Sequence, residues 1–142
     1  MKITETKAEF VQMVNSLFAV KDLEGKDFAV VVAKNLKTLT TNLKDLEEAG
    51  KPSKEFMDLA LSVNAFTDDP NDDSKIYEIE KLEKENKELI DERRKQLEDV
   101  AVLMEAEIEI DLEPLSHDML PENITAHQIA SLVKLLKRKS MN

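Results

Sequence analysis

The chain has 142 residues, 42% hydrophobic and 35% charged, which suits one folded domain with a modest core. Only 2 Gly and 4 Pro argue against a turn-rich sandwich or barrel and leave no Gly-rich phosphate loop, and the absence of Cys excludes disulfides and thiolate nucleophiles or metal ligands. A formal net charge of -10 disfavours bulk DNA or RNA binding, which depends on neutralising phosphates.

Residues 2–4 read as a short strand. Thr6 opens the first helix, and Glu9 three positions on predicts a reciprocal cap, side chain to backbone in both directions. Phe10, Val11, Val14, Leu17 and Phe18 recur at helical period. After the connection at residues 21–26, a longer helix is predicted over 27–49. Its stripe is Phe28, Val32, Leu36, Leu39, Leu43 and Leu46, stepping by threes and fours as in a coiled coil. Gly50 and Pro52 stop it. Ser53 caps a third helix carrying Phe56, Leu59, Ala60 and Val63.

The Asp, Asn and Pro residues of 67–74 predict a loop. A fourth helix follows over 75–104, about 45 Å long at 1.5 Å per residue. Its stripe is Ile79, Leu82, Leu89, Leu97, Val100 and Leu103 or Met104, interrupted by Asn86 and Arg93. The period then changes. Ala106, Ile108, Ile110 and Leu112 alternate with acidic residues from Glu105 to Glu113, which predicts a half-buried strand. A lone strand leaves its backbone unpaired, so pairing of 2–4 with 106–112 is expected. Pro114 ends the strand. Thr125 with Gln128 caps a last helix whose apolar face is Ile129, Leu132, Val133 and Leu136. The fold class expected is mainly α: a single domain over 1–142, a bundle of about five helices including one long helix, with a minimal two-stranded β pairing.

This order resembles a family of small proteins encoded by phages and prophages and described as a domain of unknown function. The points of contact are Asn15-Ser16-Leu17-Phe18 and the stretch Phe28-Ala29-Val30-Val31-Val32-Ala33-Lys34-Asn35-Leu36-Lys37, with its Ala-Lys-Asn-aliphatic-Lys centre. To these add Glu88-Leu89-Ile90 in the long helix, Ile108-Glu109-Ile110 in the strand, and Leu120-Pro121-Glu122-Asn123-Ile124-Thr125 before the last helix. The family's middle insert looks reduced around Asp68 to Asp73. The resemblance implies a phage-related accessory role and transfers no catalytic residues.

Catalytic and metal chemistry find little support in the residues. His117 and His127 lack metal-binding spacing and read as exposed. Alternate carboxylates on the acidic strand lie about 6.6 Å apart, too far to share one ion closely. Nucleophilic triads lack members, and no carboxylate pair sits in an apolar setting. No enzyme activity, metal or cofactor is expected. The longest apolar run, Phe28 to Ala33, is too short to span a bilayer, and the start of the chain has no signal-peptide core. No membrane partner is expected, and the expected location is the cytoplasm, that of the host cell if the chain is phage-encoded. The basic residues Lys134, Lys137, Arg138 and Lys139 complement the dipole of the last helix.

The informative residues are polar groups on apolar faces. Asn35 falls on the buried stripe, flanked by Lys34 and Lys37, and Asn86 and Arg93 interrupt the long helix at heptad spacing. One reading has them fixing helix register, with Arg93 snorkelling or paired; Asn35→Leu is then neutral or stabilising. The other brings Lys34, Asn35, Lys37, Arg93 and Arg94 together on an anionic, base-bearing ligand. The corresponding functions are three. The first is a non-enzymatic interaction protein that binds itself, or a host or phage protein, with Ile79, Leu82, Asn86 and Leu89 in a homo-oligomer interface. The second is a counter-defence protein that sequesters a small nucleotide-derived immune signal in an inter-helix or inter-subunit pocket. The third is a virion assembly or tail-associated factor.

Overall fold

Thr6 ends a strand and starts a helix, and the arrangement of the N-terminal half follows from that double duty. In the computed structural model, which describes residues 1–66 and 73–136, the chain is mainly helical with one two-stranded antiparallel sheet. The elements are β1 (Lys2–Thr6), α1 (Lys7–Val20), α2 (Lys26–Asn42), α3 (Lys44–Gly50), α4 (Lys54–Phe66), α5 (Asp73–Glu85), α6 (Lys87–Glu105), β2 (Glu107–Asp111) and α7 (Ala126–Ser131). Short 3-10 turns occupy His117–Met119 and Val133–Leu135. Of the loop expected over 67–74, residues 67–72 lie outside the described residues, as do Lys137, Arg138 and Lys139, while Asp73 and Ser74 already belong to α5. Contacts group the chain into two compact units, Met1–Asp45 with Leu103–Asn142, and Leu46–Val102.

The first unit holds the sheet. β1 and β2 pair antiparallel with Ile3 opposite Ile110 and Glu5 opposite Ile108. The strands are Lys2–Thr6 and Glu107–Asp111 rather than 2–4 and 106–112: Glu105 still belongs to α6, and the pairing extends to Thr6 opposite Glu107. Ladder bonds continue past both ends, from Leu112 N to Met1 O and from Lys7 N to Ala106 O. Ile110 and Leu112 are buried while Glu107, Glu109 and Asp111 are exposed, as strict alternation requires.

Helix α1 buries Phe10, Met13, Leu17 and Val20. Phe18, expected on that face, is half exposed, and Val11 and Val14 only flank the core. Thr6 Oγ1 accepts from Glu9 N, but the reverse half of the cap is replaced: the Glu9 carboxylate accepts from Lys134 Nζ at 3.0 Å. Gly25, with φ 135°, supplies the turn into α2, a conformation L side chains rarely adopt. The helix expected over 27–49 divides at Leu43 into α2 and α3. α2 buries Phe28, Val31, Val32, Asn35 and Leu39.

Thr125 and Gln128 form the complete reciprocal cap of α7. The α-helix lasts only to Ser131 and tightens into a 3-10 turn. At three residues per turn, positions three apart eclipse. Leu132 and Leu135 are therefore buried, while Val133, expected on the apolar face, is 61% exposed. Leu115 N then donates to Leu135 O at 2.7 Å, tying the segment after β2 to this turn.

The second unit is a set of helices with little dry interior. Ser53 Oγ accepts from Phe56 N at the start of α4, as expected. α4 packs on α5. The helix expected over 75–104 divides at Asn86, whose Nδ2 donates to Leu82 O at 2.8 Å beside the backbone bond to the same carbonyl. Such back-bonding by a short polar side chain disturbs a helix locally. Backbone bonds run on through Asn86 to Ile90. The half-buried positions include Ile79, Leu82, Asn86, Leu89, Arg93, Gln96 and Val100, which alternate by threes and fours, with Ile90 half-buried beside them and Leu103 and Met104 beyond. Leu97, expected on this stripe, is 49% exposed, and Gln96 holds its place.

Candidate functional site

Asn35 is 1% exposed, the one fully buried polar side chain among the described residues apart from Lys7. The period of α2 turns it inward beside Val32 and Leu39, towards the end of β2. Its Nδ2 donates to Glu113 O at 2.9 Å and its Oδ1 accepts from Glu113 N at 2.8 Å. Both polar atoms of the amide are engaged, and with a strand end rather than a facing helix.

Lys34, Asn35, Lys37 and Thr38 form one wall of a cleft of about 530 Å³, with Asp111 to Pro114 on the other. Lys34 Nζ lies 4.0 Å from Glu113 Oε1, with both side chains more than half exposed. At the same end, the terminal ammonium of Met1 donates to Asp111 Oδ1 at 2.8 Å and to Leu112 O at 2.9 Å. That hydrogen bond and its charge hold the Asp111 carboxyl below the usual carboxylate range.

Arg93 and Arg94 belong to the second unit. Arg93 Nη1 donates to Gly50 O and to Gln96 Oε1, each at 2.8 Å, and the guanidinium sits 5.7 Å from the Phe56 ring centre. Gln96 Nε2 donates to Ala49 O at 2.8 Å and to Lys51 O at 2.7 Å. Together they satisfy three successive carbonyls at the end of α3, where a helix leaves acceptors without partners and carries partial negative charge. Gly50 thus ends α3 without a left-handed residue, its carbonyl held from α6. Arg94 is exposed and 3.7 Å from Asp91 on its own helix. Among the proposed interface residues, Ile79, Leu82, Asn86 and Leu89 are all half buried.

The structure thus gathers Lys34, Asn35 and Lys37 at one cleft and gives Arg93 a separate task. Sequence reasoning missed three participants. Gln96 was hidden because its neighbour Leu97 fits an apolar pattern better. Glu113 takes part through its backbone, which leaves no side-chain signal. Lys7 is buried with Nζ 2.6 Å from Asp45 Oδ2, although a lysine just after a cap reads as solvated. Among the described residues no group of three or more His, Asp or Glu is placed to hold a metal ion, and no helix is long and apolar enough to cross a membrane. No protein-family model, curated protein or solved structure matches this chain.

Proposed function

We propose that this chain is a non-enzymatic interaction protein that associates with a second copy of itself through α5 and α6. The observation that carries the reading is the poverty of the second unit's interior. Among its described residues only Leu46 and Leu59 are buried apolar side chains, and α6 buries none of its 19 residues. Small units with so little apolar burial usually gain stability from a partner, a metal or a cross-link. Cys is absent, and no group of three or more His, Asp or Glu among the described residues is placed to hold a metal ion, so association is the remedy this reading favours.

The exposed apolar residues support the same helices. Exposed Ile76 and Leu97 lie three heptads apart, with half-buried Ile90 between them at the same heptad position, forming a column beside the heptad stripe. Ile76 and Leu97 are each 49% exposed. A second helix laid along this column removes apolar surface from water at about 25 cal/mol per Å². The resemblance to phage and prophage proteins adds an accessory role in that setting, exercised by binding rather than by catalysis.

Sedimentation equilibrium between 1 and 100 μM, as order-of-magnitude working concentrations, tests the reading. The expected result is twice the chain mass of 16.2 kDa. Leu97→Glu is expected to raise the dissociation constant at least about tenfold, since a charge on a covered apolar position is strongly penalised. Val133→Glu, at an exposed apolar position of the first unit, should leave it unchanged. A chain that stays at monomer mass throughout overturns the proposal.

A further inference from the structure

The sheet has two strands and therefore two edges, and the hydrogen-bond register says which groups each edge leaves free. In an antiparallel pair, residues alternate between exchanging both backbone bonds with the partner and pointing both groups away from it. Leu112 and Ala106 bond to Met1 and Lys7 of the β1 side, which fixes the phase. Ile110 and Ile108 follow as the inward positions. Glu107, Glu109, Asp111 and Glu113 therefore aim their N–H and C=O at the outer edge of β2. At Glu113 that edge is occupied: the Asn35 amide gives and takes one hydrogen bond, as a strand residue does. Among the described residues, none bonds to the outward backbone groups of Glu107, Glu109 and Asp111.

We propose that this free edge of β2 is a docking site for an extended segment of a partner protein that carries Lys or Arg at alternate positions. The backbone row supplies the site, and the side chains select the occupant. A strand added antiparallel places its hydrogen-bonded residues directly opposite Glu107, Glu109 and Asp111, on the same sheet face as their carboxylates. Cations at those positions meet opposite charges, and acidic residues there are repelled. β1 already shows the pattern from the other side: Lys2 Nζ lies 3.9 Å from Glu109 Oε1, and the terminal ammonium bonds Asp111. The acidic row also rejects the β2 edge of a second copy, because identical carboxylates would face one another. The Asn35 amide ends the site at Glu113, and Lys34 beside it discourages a basic segment from running further. The site is thus three rungs long, a span of about 14 Å at 3.4 Å per residue.

The test uses the full chain and a seven-residue peptide alternating Lys with Val, blocked at both ends. It is followed by fluorescence anisotropy and by the protein's amide NMR shifts. Binding is expected to shift the amides of Glu107, Glu109 and Asp111. Methylating the backbone nitrogens of the peptide's Lys residues, which face the edge, should weaken binding at least about tenfold; methylating those of the Val residues, which face away, should not. Replacing Lys by Glu in the peptide should abolish binding. In the protein, Glu109→Pro removes one outward N–H without touching a β1 bond, so the sheet should persist while affinity falls about tenfold. Glu109→Lys should weaken the Lys peptide similarly. Equal loss for the two methylated peptides, shifts confined to other residues, or no binding at millimolar peptide each overturn the proposal, the last leaving the carboxylates as a guard against edge pairing.

Discussion

The carboxamide of Asn35 pairs with both backbone polar groups of Glu113, at 2.9 and 2.8 Å, across 78 positions of sequence. A helix side chain thereby closes the edge of a strand just before Pro114, a residue that has no N–H to continue a ladder. This changes the expectation for the site. A register asparagine between two helices can be exchanged for leucine at little cost; an asparagine that satisfies two backbone groups cannot.

Asn35→Leu and Asn35→Ala are each expected to destabilise the protein by about 2 kcal/mol, since loss of the amide strands a donor and an acceptor. Asn35→Asp keeps the acceptor for Glu113 N but loses the donor to Glu113 O and sets a charge beside that carbonyl. It should not restore stability. Urea unfolding midpoints at constant m-value check all three.

Arg93→Met should cost about 1–2 kcal/mol, through the lost bond to Gly50 O and the lost contact with Phe56. Gln96→Leu should cost a similar amount, and the double variant less than the sum, because Arg93 and Gln96 also bond each other. Hydrogen exchange should speed up first in α3. Unchanged protection there, with both variants folded, would show that these contacts do not hold the end of that helix.

Leu135→Ala should destabilise by about 2–4 kcal/mol as a large-to-small change at a buried site. Val133→Ser, two positions earlier and mostly exposed, should stay within about 0.5 kcal/mol. A continuous α-helix would predict the reverse ranking, so paired thermal melts of the two variants report directly on the 3-10 turn.

Gly25→Ala should cost about 1–3 kcal/mol despite the space around it. An added Cβ meets Phe28 Cβ at 3.5 Å and Met119 O at 3.9 Å, both ordinary contacts, so the cost is that of holding a side chain at φ 135°. The midpoint of thermal unfolding should fall, with α1 and α2 retained by circular dichroism at low temperature.

Much of the fold is legible in the chain. The switch from helical period to strict alternation at Ala106 announces β2, and the need to pair a lone strand points to the N-terminal segment. Thr125 with Gln128 marks the start of α7, and Ser53 that of α4, because a cap is a local arrangement within three residues of sequence. Heptad spacing marks the face of α5 and α6. The candidate site is less legible. Asn35 stands out as polar on an apolar stripe, and Lys34 and Lys37 as its flanks, but nothing local names Glu113 as the partner.

What the sequence determines by itself are periods, caps and stops, since these depend on backbone geometry and near neighbours. Tertiary structure decides where each polar group finds its complement. Glu9 has the spacing to complete the cap with Thr6, yet binds Lys134, which the packing of α7 on α1 brings within 3.0 Å. Arg93 has the look of a surface or ligand-binding arginine, yet closes the end of α3, because that end leaves carbonyls in need of donors. Val133 and Leu135 exchange places because the last helix tightens to three residues per turn where Leu115 draws the Leu135 carbonyl towards its own N–H. Each outcome is set by a hydrogen-bonding demand arising far away in the chain, and a pattern read along the chain carries no record of it.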